Sequence, residues 1–399
     1  MNIFESFTKD EIYVINAVRN LCIEKNIKAY LVGGAVRDAV LKIKMKDMDI
    51  CLNHDPGDII GELNGVKCYK YYKKFQTAAV TFQNGIGIDL IRCRKEHYKK
   101  YGELPEVEPS DIYDDLYRRD FTINSLAYDI VENNILDIYG GMGDIKNKIL
   151  KKIHFNSYRE DPTRIFRAVK YCVRYGFHLE DRVEIENCIT EDIFNTISND
   201  RIVKEIYSLC SEMRWIKNIN LCSDLGIFYI DGQALKVHYP DYEKELTSIY
   251  KNVDIRILKL VYFLRDEVYV NMLIENSILN RKLRNTVRYF SQNLYGVIDS
   301  MKNTLDNYKL YKLLNGMNDY QLIFLSWYYE LKYKIYNYID NISTYKSSLN
   351  GNDIIAVGIR EGKSIRKILN DIMKLELNTV LKWKKECLLK NIGEQYKCL

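Results

Sequence analysis

The placement of proline is what most constrains this chain of 399 residues. Four of the five prolines, at 56, 105, 109 and 162, fall in the first 162 residues, and only Pro240 follows. Proline removes a backbone donor and breaks helix interiors, so long uninterrupted helices belong after Pro162. The early stretch also holds DMDICL, TAAVTFQ and GIGIDLIRCR, short runs rich in Val, Ile or Thr and bounded by Gly, Asn or Asp. These are strand signals. Beyond Pro162 the apolar spacing is helical nearly to the end. The expected fold is α+β: a mixed head of about 150 residues, then an all-α remainder in several units, since one core cannot serve so long a chain.

With 47% hydrophobic and 28% charged residues the composition is that of a folded protein. The net charge of +5 permits a nucleic-acid partner without demanding one. Ten cysteines are scattered without a C-x-x-C pair, which suggests buried thiols in a reducing cytoplasm. The start, MNIFESFTKDEIYVINAVRN, lacks the apolar core of a signal peptide. The greasiest late segment, YQLIFLSWYYELKYKIYNYI, is interrupted by Glu330, Lys332 and Lys334, and reads as a core helix rather than a membrane span. His54-Asp55 is followed at once by Pro56 and only five histidines exist, which argues against a metal phosphohydrolase. No membrane and no protein partner is implied.

Asp47 and Asp49 stand where the helix-like GAVRDAVLK gives way to the strand-like MDICL. Residues two apart on a strand share a face, about 6.6 to 6.8 Å apart along the chain. Such a pair suits hard divalent ions shared with substrate phosphates, Mg²⁺ above all. The plainer reading is two solvated aspartates at a strand edge. Asp89, on a later strand-like run, would add a third carboxylate, or lie on a solvated face. Gly33-Gly34 upstream is either only a tight turn or a bend that opens backbone N–H groups toward phosphate. Arg37, one helical turn on, would point at the same phosphate.

LVGGAVRDAVL, KDMDI, DDLYRRDFTINSLAYD (114–129), ILDIYGGMGDIKNKIL (135–150), EDPTRIFRAVKYCVRYGF (160–177) and SNDRIVKEI (198–206) follow one another in order. Together they resemble the class II tRNA nucleotidyltransferase and poly(A) polymerase family of the polymerase β superfamily. GNDIIAVGIREGKSIRKILNDI (351–372) is similar to the tail of short bacterial CCA-adding enzymes. The resemblance implies a polymerase β-type head with a small mixed sheet over 1–150, a helical neck for base recognition over 151–210, a helical body over 211–300 and a tRNA-binding tail over 301–399. It implies addition of CCA to the 3′ end of tRNA from CTP and ATP. A poly(A) polymerase or a partial CC- or A-adding enzyme is the alternative, and a catalytically idle RNA-binding relative is the reading from another class. Three positions depart from the family pattern: Lys42 for glycine, Lys170 for arginine and Asp200 for glutamate.

In RRDFTIN, the resemblance places Arg119 on the triphosphate. Asp120 and Asn124, four apart on an expected helix, would hold the ribose 2′-OH, or Asp120 would simply cap that helix. Asp161-Pro162 reads as an N-cap with Pro at the first helical position. In the helix that follows, Arg164, Arg167, Lys170 and Arg174 share one arc, with Ile165, Phe166, Val169 and Val173 opposite. The cationic arc is either a solvated face or the wall of a nucleotide and RNA cleft. By resemblance, Asp161 and Arg164 would bond the base edge of the incoming nucleotide. The segment RCRKEHYKKYGELPEVEPSDIYDD reads as a polar loop whose length, within the family, accompanies complete CCA addition. VLKWKKECLLKNIGEQYK mixes Trp383 with lysines and reads as an amphipathic core helix or an RNA-tracking one.

Overall fold

A computed structural model describes residues 3–45, 47–230, 233–234, 253–263, 271, 275, 278–304, 306–360, 362–379 and 385–396. Trp383 and Pro240 therefore lie outside the described residues. The chain divides into two compact units, 1–237 and 238–399.

Nine of the first unit's described strands surround the site: β1 (Ala29–Val32), β2 (Asp49–Leu52), β3 (Val66–Tyr72), β4 (Thr77–Phe82), β5 (Gly87–Arg92), β6 (Arg94–His97), β7 (Glu106–Pro109), β8 (Leu126–Asp129) and β9 (Asn134–Asp137). Seven of them form one sheet in the order β3-β4-β5-β2-β1-β8-β9. β2 runs parallel to β5 and every other neighbouring pair is antiparallel. β6 and β7 pair with each other as a separate hairpin. The central β1 and β8, AYLV and LAYD, are buried throughout, as strands covered on both faces must be. β4 and β5 instead alternate. Ala78, Val80, Phe82, Ile88 and Leu90 are buried, while Thr77, Ala79, Thr81 and Asp89 face the other way.

All three expected strands are present, but β2 starts at Asp49 and leaves Asp47 just ahead of it. The pairing with β5 begins at Asp49 opposite Asp89, whose N–H donates to Met48 O. RRDFTIN is not a helix. It forms a single 3₁₀ turn, Thr122–Asn124, leading directly into β8. Thr122 N–H bonds Lys151 O and Phe121 bridges Lys152, which holds the segment extended on either side of the turn.

The helices of this unit are α1 (Lys9–Glu24), α2 (Gly34–Val40), α3 (Pro56–Ile59), α4 (Ile112–Tyr117), α5 (Gly141–Asn147), α6 (Ser157–Glu160), α7 (Thr163–Tyr175), α8 (Arg182–Thr190), α9 (Asn199–Cys210) and α10 (Trp215–Asp224). α1 opens on a capping box between Thr8 and Glu11. α7 opens after Pro162, where the Asp161 carboxylate accepts from Thr163 N–H, and it closes at Gly176 with φ of +69°. Ile165, Phe166 and Val169 are fully buried, each worth about 1.5 to 3 kcal/mol. Val173 is half-buried, and Ala168 and Cys172 complete the packed face.

The second unit is helical over most of its described residues. Its longest helix, Arg281–Lys302, starts from the Asn280 cap. Phe290 of that helix stacks on Phe324 at 4.4 Å, and Trp327 packs beside Phe324. The YQLIF segment is not one helix: Asp319–Ser326 and Tyr329–Asn337 are separated at Trp327 and Tyr328, and a π turn, Tyr338–Ile342, follows. Gly351–Ala356, Lys363–Asn378 and Lys385–Tyr396 share a core of Leu349, Ile354, Ile368, Ile372, Leu388 and Ile392. Among the described residues no helix is long and apolar enough to cross a membrane.

Candidate active site

An open cleft of about 630 Å³ lies in the first unit. Gly33, Gly34, Arg37, Asp47, Asp49, Arg119, Asp120, Asn124, Asp161, Arg164 and Arg167 all line it. These come from four separate segments of sequence, and the fold draws them to one place. Asp89 and Lys170 lie outside the lining. Asp89 nonetheless sits directly opposite Asp49 on the parallel neighbour β5, so the two carboxylates share a face. Lys170 is turned to Ser208 of α9, with Nζ 3.1 Å from Oγ.

Asp47 and Asp89 are exposed and Asp49 is half-buried. Burial raises the Asp49 pKa above its ordinary range. Arg119 opposes that rise, and Asp89 and Asp47 add to it. Asp89 is raised by burial and then by Asp47. No described residue donates a hydrogen bond or an ion pair to any of the three carboxylates. Acids left crowded and unpaired in this way fit a hard cation. Among the described residues no three metal-type ligands converge. The donor set therefore suits a cation that takes one or two carboxylates and fills its shell with water and phosphate oxygens, as Mg²⁺ does.

The arginines are held by buried acids. Asp115, which sequence reasoning did not single out, is fully buried and grips two of them. Arg118 bonds its Oδ1 at 2.8 Å and Arg119 its Oδ2 at 2.8 Å. Burial alone would raise the Asp115 carboxyl, but Arg119 and then Arg118 outweigh it and bring it down to about 2. The signal lay in the spacing D-x-x-R-R, with Asp115 three and four residues ahead of its partners on α4. Gly33, with φ of +63°, sits against Arg119; a Cβ there would lie 2.5 Å from Nη1. The Gly33 N–H is already committed to Leu126 O, so the diglycine bend keeps that donor for the sheet.

Asp120, Asn124, Arg37 and Arg167 form one chain of bonds, buried except at Arg167. Asp120 Oδ1 accepts from Phe121 N–H and from Asn124 Nδ2, both at 2.9 Å. Its Oδ2 accepts from Arg167 Nε at 2.7 Å. Asn124 Oδ1 accepts in turn from Arg37 Nη1, whose Nε bonds Asp38 at 2.8 Å. No helix follows for Asp120 to cap, since the turn Thr122–Asn124 has no side-chain cap; its carboxylate instead ties Phe121 N–H to Asn124 and holds that amide in place. Tyr171 and Tyr175, also missed, stack at 6.0 Å, and the Arg37 guanidinium lies 5.3 and 5.0 Å from their ring centroids.

The arc of cations on α7 is divided among partners. Arg164 is buried, donating to Ser157 Oγ at 2.7 Å and to Arg118 O at 2.8 Å. Arg174 reaches Glu212 with Nε at 2.9 Å. Asp161 Oδ1 takes Thr163 N–H and Arg201 Nη2, at 3.1 and 2.8 Å, and no described residue donates to Oδ2. The expected polar loop is the β6–β7 hairpin. Its tip is held where Gly102 O accepts from Arg201 Nη1 at 2.6 Å and Gly102 N–H donates to Glu160 O.

A sequence profile of the Poly A polymerase head domain matches residues 29–151, the span that carries β1 to α5. The A-adding tRNA nucleotidyltransferase of Geobacter sulfurreducens is 35% identical over 212 residues, covering 51% of this chain and 24% of that protein. Residues 29–151 thus carry the Poly A polymerase head domain, and the chain is similar in sequence and fold to class II tRNA nucleotidyltransferases. The CC-adding tRNA nucleotidyltransferase of Deinococcus radiodurans is 38% identical over 154 residues, which is 37% of this chain and 41% of that one. The chain thus spans less than half the length of either relative. A solved CCA-adding enzyme in its apo form II superposes with a TM-score of 0.81 at 25% identity, over 98% of both chains. The fold is accordingly a mixed-sheet head that leads into helices.

Proposed function

We propose that this protein extends the 3′ end of tRNA with CCA, without a template, using CTP and ATP and releasing pyrophosphate. The observation that carries the proposal is the cleft itself, lined both by the unpaired carboxylates of Asp47 and Asp49 and by arginines. Asp47 and Asp49 would hold Mg²⁺, with Asp89 beside them to ligate metal or take the proton of the attacking hydroxyl. The ion, when bound, supplies charge neutralisation at the phosphates and activation of the terminal ribose hydroxyl.

The remaining residues bind and orient. Arg119, fixed by Asp115, and Arg37, fixed by Asp38, meet the triphosphate at the Gly33-Gly34 bend. Asp120 and Asn124, steadied by Arg167, meet the ribose. Asp161 presents its free Oδ2 to the base edge, and Arg164 shapes that wall, with Lys170 behind it tying α7 to α9 through Ser208. Fixed donors and acceptors of this kind discriminate one base from another. We assign residues 1–150 to the catalytic head, 151–210 to the neck, and 211–300 and 301–399 to a body and tail that grip tRNA by backbone and shape. A cytoplasmic location follows from that substrate.

The test is incorporation of single nucleotides onto tRNA ending at position 73, 74 or 75. Addition of two C and then one A is the expected result; long A tracts, or no C, refute it. A second reading, A-addition alone, rests on the 35% identical A-adding relative. It predicts that only tRNA ending at position 75 is extended, and only with ATP.

A further inference from the structure

Residues directly opposite one another in a ladder project from the same face of a sheet. Here Asp49 stands opposite Asp89, Asp89 opposite Ala79, and Ala79 opposite Lys70. The carboxylates and Lys70 therefore lie in one transverse row that ends on β3, the edge strand. With strands about 4.8 Å apart, that row spans about 14 Å. Thr77, Ala79 and Thr81 are half-buried on this face, and Gly87 and Asp89 are exposed. The outer half of the sheet is thus a floor of small side chains open on the side of the carboxylates.

The rim of this floor has an unusual composition. Residues 66–75 read VKCYKYYKKF, with four lysines and no acid. Lys67, Lys70, Lys73 and Lys74 are all exposed, and none ion-pairs with a described residue. The lysines of the nearby hairpin behave otherwise: Lys95 pairs with Glu108 and Lys99 with Glu106. Tyr69, Tyr72 and Phe75 leave 51%, 41% and 56% of their surfaces exposed among the lysines. Lys70 Nζ lies 5.0 Å from the Tyr72 ring centroid. Lysines alone would be accounted for as protection of an edge strand against pairing. Three exposed rings beside them work against that purpose, whereas cations interleaved with stacking surfaces suit a nucleic-acid strand.

We propose that this floor and its lysine-rich rim carry the RNA strand whose 3′ end is being extended, with Lys70, Lys73 and Lys74 on its phosphates and Tyr72 against a base. This rests on the functional reading above and adds where the acceptor strand runs: outward from Asp49 across β5 and β4 to β3. The small floor residues let the sugar-phosphate backbone come close to the sheet.

The test is the full chain carrying Lys70→Gln, Lys73→Gln and Lys74→Gln together, compared with the unaltered protein. Binding of a tRNA transcript lacking CCA is read by fluorescence anisotropy between about 50 and 200 mM salt. Loss of three phosphate contacts should lower the slope of log K against log salt by about two. KM for the tRNA should rise while KM for CTP holds. Lys70→Gln alone, at an exposed site, should lower the slope by about 0.7 and guards against a folding defect in the triple variant. Equal affinity and equal slope in all three proteins overturn the proposal, whatever else the strand binds. If the unaltered protein neither binds nor extends tRNA, the functional reading itself fails, which is a different outcome.

Discussion

Replacing Asp115 with asparagine removes one charge from the centre of the arginine cluster and almost no volume. Asp115 is fully buried between Arg118 and Arg119, and its carboxyl titrates at about 2 instead of the ordinary 3.8. That difference corresponds to about 2.5 kcal/mol favouring the ionised, folded form. The sign follows from the depressed value. The contribution is fully present above pH 3.8 and is lost as pH falls through about 2. Asp115→Asn resembles the protonated acid, so the variant should be less stable than the unaltered protein by about 2 to 3 kcal/mol at neutral pH. Urea unfolding followed by tyrosine fluorescence, repeated from pH 6 down to the acid limit, measures both quantities. The variant should also lack the steepest part of the acid destabilisation. Because Arg119 loses its anchor, KM for the nucleotide should rise. Equal stability at neutral pH, together with parallel acid curves, would refute the claim that this carboxylate holds the two arginines.

Asp49→Asn should reduce nucleotide incorporation by about 100-fold or more, yet raise the melting temperature in chelator, because it relieves repulsion with Asp89 and Asp47. Added Mg²⁺ should stabilise the unaltered protein and not the variant; thermal shift with and without the ion decides. Gly33→Ala forces a side chain onto φ of +63° and against Arg119, so a loss of about 1 to 2 kcal/mol in stability and a higher KM for CTP are expected from melts and initial rates. His154 is held down to about 4 by burial, then by Arg164 and Lys152, so it folds neutral. A depressed histidine costs stability as pH falls from 6.5 toward 4, and His154→Gln should flatten the denaturation profile in that window. An unchanged profile would remove His154 from the acid response.

The parts of this fold legible in the sequence were those whose pattern comes from burial. TAAVTFQ and GIGIDLIRCR alternate because one face of β4 and β5 is sunk, and α7 shows its apolar stripe because Ile165, Phe166 and Val169 are sunk. β3 escaped notice because it is an edge strand with lysines and tyrosines open to solvent, so no alternation marks it. β6 and β7 escaped because ion pairs rather than apolar contacts help hold them. RRDFTIN has the i, i+4 spacing of a helix, but a backbone bond to Lys151 and burial of Ile123 decided otherwise. In the site, the spacing identified residue types well and their partners poorly. Arg164 and Lys170 look equivalent on a helical wheel, yet one is buried against Arg118 and the other turned to Ser208. Such partners sit 38 to 46 positions away, where local periodicity carries no information.

Arg201 grasps two things at once, the carbonyl of Gly102 at the hairpin tip and the carboxylate of Asp161 at the mouth of α7. A two-pronged clasp of this sort makes a remote turn and a cleft wall mechanically dependent. Lifting the tip frees one prong and unbraces the other, leaving the acid on Thr163 alone. Segment length between β6 and β7 would then tune the cleft from outside it, leaving every group inside chemically unaltered.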